Sequence, residues 1–266
     1  MAFPLKSRFR GLVPVALQVP TKYWFDKMRG FVEPEMALLR HLVSKGDRCL
    51  DVGGNRGVYT YHCWKLGGVV EIFEPNPVCI RVLDAWISRT PRVNLHPMAL
   101  SDTDGTAQLR IPVDASGVEH DASASIEDHV FARSRKQPIP LRTLDSFGFS
   151  DAALIKIDVE GHESKVILGA GITLAKLKPA LLVEIEQRHL NRPIKGVFHQ
   201  LEQHGYRGMF LEDGRLRPLV EFNPAHHQDL STFAHAGRLY INNFLFLHEA
   251  RLQAGEYRSL PLALGS

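Results

Sequence analysis

The stretch "RCLDVGGNRGVYTYHC", residues 48–63, constrains the fold of this chain more than any other. An apolar run ends in Asp51, glycines follow at 53, 54 and 57, and apolar-aromatic spacing then resumes. A short buried strand that turns on glycine into a helix is the opening of a βα unit. A strand so used needs parallel neighbours reached by crossovers, which commits much of the chain to an α/β architecture.

The rest of the sequence supplies those neighbours. After a predicted helix over "EPEMALLRHLVSK", ending at Gly46, the strand "RCLDVG" is followed by the helix "GVYTYHCWKL". The strand "VVEIFEP", the helix "PVCIRVLDAWISRT" and the strand "VNLHPMAL" come next. Alternation lapses at 101–145, where "TAQLRIPV" and "KQPIPLRTLDSF" read as a strand pair interrupted by an insertion at 112–140. It returns with "ALIKIDVEG", "HESKVILGAGITLAKL", "PALLVEIE" and "IKGVFHQLEQHG". Two last strands, "YRGMFLEDGRLRPLV" and "LYINNFLFLHE", lack a crossover helix between them, so the last is expected to be antiparallel. The expected division is an arm or lid at 1–32, one domain at 33–250 and a tail at 251–266. Pro4, Pro14 and Pro20 argue against a long helix in the arm.

Composition narrows the functional classes. With 44% hydrophobic residues in 266, the chain is long enough to bury one large core. A net charge of +3 gives no strong field for a polyanion, so nucleic acid is not the expected partner. Three scattered cysteines form no disulfide or metal pattern, and no apolar run is long enough to span a membrane. These features fit a soluble protein of a reducing compartment, expected to be cytoplasmic.

The glycine loop does not match the common phosphate binders. Its spacing from Asp51 is D-x-G-x-x-x-G rather than G-x-G-x-x-G, and no G-K-[ST] follows. A carboxylate at the strand end repels a pyrophosphate and attracts an ammonium group. Glu74 ends the next strand, where an acid binds both hydroxyls of a ribose. Ribose, amino group and no phosphate together describe S-adenosylmethionine.

"LDVGGNRGVYT", "FEPNP", "VNLHPMALSDTDG", "RTLDSF" and "LIKIDVEGHESKVILGA" together resemble the FkbM family of class I S-adenosylmethionine-dependent methyltransferases. The likeness runs from about residue 48 to 188, and "KIDVEGHE" is its most family-specific part. It implies a Rossmann-like three-layer fold around a seven-stranded, mainly parallel sheet with an antiparallel last strand. It implies S-adenosylmethionine as cofactor, S-adenosylhomocysteine as product, and O-methylation of a small hydroxylated molecule such as a sugar or secondary metabolite. N-methylation, or a glycan or peptide acceptor, is the alternative within the fold; a nicotinamide-dependent oxidoreductase is the alternative outside it.

By the same resemblance, Asp51, Gly53, Gly54, Asn55 and Gly57 form the cofactor loop, with Tyr59 and Thr60 facing the methionine end. Glu74 takes the ribose, Asn76 flanks the adenine, and the stretch from Ala99 to Asp102, with Ala99 and Ser101 as contacts, lies on the adenine side. Many relatives carry alanine at the position of Gly54, so glycine here implies only the harmless loss of one methyl.

The carboxyl ends of strands in an open sheet are where ligands bind, so Asp158 and Glu160 are expected near the transferred methyl. A hydroxyl acceptor benefits from a general base. His162 is the leading candidate by its ordinary pKa, with Asp158, Glu160 and Glu184 behind it. Glu163 reads as an acid favoured by its helix start. In the insertion, His120, Ser123 and Ser125 are candidate substrate contacts. No metal-ligand spacing is present, and no metal is expected.

Overall fold

A computed structural model describes residues 13–114, 117, 124–127, 133–231 and 240–261. Strands β1 (Arg48–Val52), β2 (Val69–Phe73) and β3 (Val93–His96) open the main sheet. Strands β4 (Ala99–Leu100), β5 (Gly105–Pro112) and β6 (Ser134–Arg142) form a small second sheet, and β7 (Leu154–Ile157) returns to the first. It continues with β8 (Ala180–Glu184), β9 (Tyr206–Glu212), β10 (Arg215–Pro218) and β11 (Asn243–His248). The order is β10-β9-β11-β8-β7-β1-β2-β3. Strands β3, β2, β1, β7 and β8 are mutually parallel, and β11 is antiparallel to both β8 and β9. This is the expected sheet with one strand more.

The additional strand comes from "YRGMFLEDGRLRPLV", which is a hairpin rather than a single strand. Asp213 and Gly214 turn it with φ of +49° and +75°. Two left-handed residues in a row make the type I′ geometry that Asp-Gly favours.

Side chains alternate between two cores. Leu154, Leu182, Leu245 and Leu247 face one side, under helices α1 (Gln18–Arg29), α2 (Leu39–Leu42), α3 (Val58–Lys65) and α4 (Pro77–Ile87). Leu50, Val52, Ile155, Ile157, Leu181, Val183, Phe244 and Phe246 face the other. There they meet α5 (Glu163–Leu168), α6 (Gly171–Leu177) and α7 (Lys195–Gln203).

Several local expectations are corrected. The helix expected to end at Gly46 is a 3-10 turn at Pro34–Leu38 leading into α2, which stops at Leu42 because Val43 is already extended. Proline blocks a helix interior but is accepted in a first turn, and Pro20 sits in the first turn of α1. That helix buries Val19 and Tyr23 against α3 and α4, so the described part of the arm packs along the outer helices. At the other end, Tyr257 and Leu260 of the expected tail are also buried in this core.

"VNLHPMAL" divides at Pro97 into β3 and β4, so that β4 leaves to pair with β6. The long helix expected after β7 breaks into α5 and α6 at Gly169 and Ala170. A Cβ on Gly169 would lie 1.9 Å from the Ser101 carbonyl oxygen, so this break is where the second helical layer touches the end of β4. Gly169→Ala is expected to cost about 1–3 kcal/mol through overpacking, read as a lowered urea midpoint with an unchanged slope.

Candidate active site

The site begins with the turn after β1. Gly53 adopts φ +81°, and a Cβ there would lie 1.8 Å from the Asp158 carbonyl oxygen, so only glycine allows the loop to pass so near β7. Asn55 follows with φ +46°, and its backbone N–H donates to Glu74 at 2.7 Å. Gly57 then starts α3 in the left-handed region. At Gly54 an added Cβ would come within 2.4 Å of Ile72 Cγ2. Alanine at this position would require Ile72 to move.

Asp51 and Glu74 stand on neighbouring strand ends, both nearly fully buried. Thr60 donates a short hydrogen bond to Asp51, so this threonine holds the acid from below. Burial pushes the Asp51 carboxyl up, against the pull of Thr60 and Lys156. Glu74 accepts the backbone N–H of Asn55 on one oxygen and that of Asn76 on the other, each at 2.7 Å. Burial, reinforced by Asp51 and Asp158, outweighs those bonds and pushes Glu74 up to about 7.

An open cleft of about 590 Å³, counting its mouth, runs across these strand ends. Gly53, Asn55 and Glu74 line one part of it, Phe73, Ala99 and Leu100 an apolar wall, and Asp158, Glu160 and His162 another part. Beside Glu74, the buried Asn76 Nδ2 has no hydrogen-bond partner among the described residues. A carboxylate beside an apolar slot is the arrangement that can receive the hydroxyls of a nucleoside.

The second acid group surrounds a residue that the sequence reading missed. Lys156 sits in the middle of β7, buried, and donates to Asn243 Oδ1 at 3.0 Å. Its Nζ lies 3.7 Å from Glu184, 4.0 Å from Asp158, and 5.0 Å from the centre of the Tyr59 ring. Burial works against its charge, but Asp158, Glu184, Glu33 and Asp51 together outweigh it and raise its pKa. Glu33, also missed, accepts from the Tyr59 hydroxyl and from Asn243. A lysine inside the otherwise apolar run "ALIKI" was the available signal, since such a residue is rarely buried without partners.

Asp158 and Glu184 are hydrogen-bonded neighbours that cannot both ionise cheaply. Asp158 is pushed up to about 6 by burial and by Glu160 and Glu33, with Lys156 and Glu184 opposing. Glu184 is driven well above the carboxylate range by burial and by Asp158. Burial and mutual repulsion thus favour the protonated form in both members of the pair.

His162 lies apart from this group. It is 4% exposed, with Nε2 at 2.9 Å from Ser101 Oγ and Nδ1 at 2.6 Å from Glu127. Both ring nitrogens are thus engaged, on the side of the cleft next to Ala99 and Ser101, which does not suit the base role expected of it. Glu127 is held down to about 2, chiefly by His162 and Lys165 against burial. Glu163 is buried, and one of its oxygens accepts from the Gly161 N–H at 2.8 Å, at the start of α5.

Ser125 lines the cleft and donates to the Glu160 carbonyl at 2.7 Å, while its backbone pairs with Arg110. Ala124 to Glu127 therefore forms a strap from the insertion across the nucleoside side. His120 and Ser123 lie outside the described residues. Glu160 has φ +51°, and its carboxylate lies 3.0 Å from His189 Nδ1. With Glu186 these residues bring three ligand atoms within 4.8 Å of one another and could hold a divalent cation. Arg188 already grips Glu186 with two bonds, at 2.6 and 2.9 Å.

The model of the methyltransferase FkbM domain matches residues 51–207, more than half of the chain and the whole span from the glycine loop to β9. The chain belongs to the FkbM methyltransferase family. Among curated proteins none matches it. A crystal structure of methyltransferase FkbM from Methylobacillus flagellatus KT overlaps 81% of this chain at 15% identity and a TM-score of 0.48. This chain spans 50% of that one. Aeropyrum pernix fibrillarin with natively bound S-adenosyl-L-methionine overlaps 80% of this chain and 72% of its own, at 13% identity and a TM-score of 0.42. Precorrin-6y C5,15-methyltransferase from Geobacter metallireducens GS-15 overlaps 80% and 87%, at 10% identity and a TM-score of 0.41. No helix among the described residues is long and apolar enough to cross a membrane.

Within this FkbM domain, Lys156→Met leaves several buried carboxylates facing one another. The expected loss is about 3–5 kcal/mol, as for a buried charge stripped of its partner. The carboxylates relieve the strain by taking up protons, so urea unfolding should show a smaller loss at pH 6 than at pH 8.

Proposed function

We propose that this protein transfers a methyl group from S-adenosylmethionine to a hydroxyl of a small molecule. The observation that carries the reading is the pairing of Glu74 with Asp51 on adjacent strand ends beside an apolar slot, with no phosphate-binding loop between them. When bound, the cofactor supplies a methyl already activated on a sulfonium. The protein's work is then to bind, align and manage one proton.

Glu74 would hold the ribose hydroxyls, Asn76 and the Ala99–Leu100 wall the base, and the turn at Gly53 and Gly54, backed by Asp51, the amino-acid end. Asp158 and Glu184 are the proton acceptors we assign. As the hydroxyl oxygen takes the methyl and the sulfonium's S–CH₃ bond breaks to leave S-adenosylhomocysteine, the hydroxyl's proton would pass to this pair, whose raised pKa values favour taking it up. Lys156 steadies the charge behind them. His162 is assigned a positioning role, holding the strap to Ser101 over the nucleoside side.

Calorimetry with S-adenosylhomocysteine and with NAD tests the cofactor. Binding of NAD with no response to S-adenosylhomocysteine would overturn the reading. Hydroxyl donors are best received by an ionised Glu74, whose raised pKa keeps it partly protonated in the empty site. Affinity for S-adenosylhomocysteine should therefore rise between pH 6 and 7.5, and in Glu74→Gln it should be lower and flat across that range. His162→Ala should weaken this affinity about tenfold, roughly the 1.4 kcal/mol expected for a lost buried hydrogen bond, with little change in turnover at saturating cofactor. A collapse of turnover with unchanged affinity would restore His162 as the base. The acceptor is sought by screening hydroxylated sugars and metabolites for a product heavier by one CH₂.

A further inference from the structure

Helix α1 has an outward apolar face that stays largely exposed among the described residues. Its inner side buries Val19 and Tyr23, with the Tyr23 hydroxyl 2.7 Å from His62 Nδ1. Its outer side carries Leu17 at the N-cap, Thr21, Trp24 and Met28, which follow the i, i+4, i+7, i+11 spacing of one helical stripe. Phe25 lies next to it. Leu17 is 54% exposed, Trp24 43%, Phe25 38% and Met28 79%. Six of the ten large apolar side chains exposed among the described residues fall within residues 15–31. Single exposed hydrophobics are ordinary, but a continuous stripe marks a surface that something covers.

The charge around the stripe says what. Lys65 Nζ lies 4.1 Å from the Trp24 ring centre and Lys27 Nζ 5.4 Å from it, while the Arg29 guanidinium lies 5.3 Å from the Phe25 ring centre. The aromatics are thus fringed by cations. Residues 1–31 hold Lys6, Arg8, Arg10, Lys22, Lys27 and Arg29 against a single acid, Asp26, giving +5. The whole chain carries only +3, so the remainder is slightly acidic and the basic bias of the protein is confined to this end. An apolar stripe with Trp and Phe, bordered by Lys and Arg, is the composition of a helix that lies in a bilayer interface. A second copy of the chain would bring one strongly positive segment against another, which like-charge repulsion opposes.

We propose that α1 docks this protein onto an anionic lipid surface. Leu17, Trp24, Phe25 and Met28 enter the boundary of the acyl chains, and Lys27, Arg29 and Lys65 meet headgroup phosphates. The proposal stands independently of the methyl acceptor. It agrees with the absence of a spanning helix among the described residues, since a helix of this kind lies on a membrane rather than across it.

The test is co-sedimentation of the full chain with vesicles of phosphatidylcholine alone, or with phosphatidylglycerol as about one third of the lipid. Partitioning should be at least about tenfold stronger onto the anionic vesicles and should fall as salt is raised. Met28→Asp with Leu17→Asp should abolish it, and so should Lys27→Glu with Arg29→Glu. All variants should keep wild-type affinity for S-adenosylhomocysteine, which reports an intact fold. Equal partitioning onto both vesicle types, or full retention by both double variants, overturns the proposal. So does a lipid-free dimer in sedimentation equilibrium that Met28→Asp dissolves, which would assign the face to a second copy. Binding to polyglutamate without binding to vesicles would assign it to an acidic protein instead.

Discussion

A single buried ammonium group organises the functional end of this protein. Lys156 lies on the central strand β7 with Asp158, Glu184, Glu33 and Asp51 close enough to shape its titration. These acids come from four different places in the chain: the end of β1, the end of β7, the end of β8, and the segment before α2. Burying so many carboxylates without a counter-charge would be prohibitively unfavourable, so they either share one cation or take up protons. Lys156 offsets part of the charge, and burial raises the Asp158 and Glu184 carboxyls towards their protonated forms. The electrostatic compromise makes the site expensive to fold and ties the four acids to one cation.

Glycine geometry couples this charged group to the cleft beside it. Gly53 lets the first loop pass against the Asp158 carbonyl, and Gly54 lies against Ile72 with the Asp51 carboxylate just beneath. The glycine loop after β1 and the end of β7 that carries Asp158 are therefore in direct contact. On the opposite side, the small sheet of β4, β5 and β6 brings Ser125 and Glu127 over the cleft, and His162 fastens them to Ser101. The cleft thus has a rigid floor of strand ends and a wall contributed by the insertion.

How much of this was legible in the sequence follows from the range of each interaction. The parallel sheet was readable because strand, glycine turn and helix are local patterns repeated along the chain. The acids at strand ends were readable because topology fixes which end of a parallel sheet meets a ligand. The "EDGR" turn also carried its signal, Asp-Gly between two apolar runs, but it lies within what looks like one continuous strand. What sequence could not supply was the partner of a side chain. His162 has the right chemistry for a base, and only the positions of Ser101 and Glu127, far away along the chain, show both its nitrogens already engaged. Lys156 was visible as an anomaly in "ALIKI", yet its meaning depends on Glu33 and Asn243, which lie at opposite ends of the chain.

The N-terminal segment raises the opposite question, of a local pattern whose function is not local. Prolines there suggested irregular chain, but Pro20 falls in the one turn of a helix that needs no donor from it, so α1 forms and buries Val19 and Tyr23. Packing explains that inner face completely. It does not explain why the outer face keeps Trp24 and Met28 among lysines, since a helix needs only one apolar stripe to attach to a core. A second stripe costs solubility unless a second apolar phase covers it. Glu33 follows α1 directly and reaches Tyr59 and Asn243 beside Lys156, so whatever holds the helix from outside also bears on the chain that closes the acid group. In this fold the surface that meets a partner and the charge centre of the site are separated by a few residues of backbone.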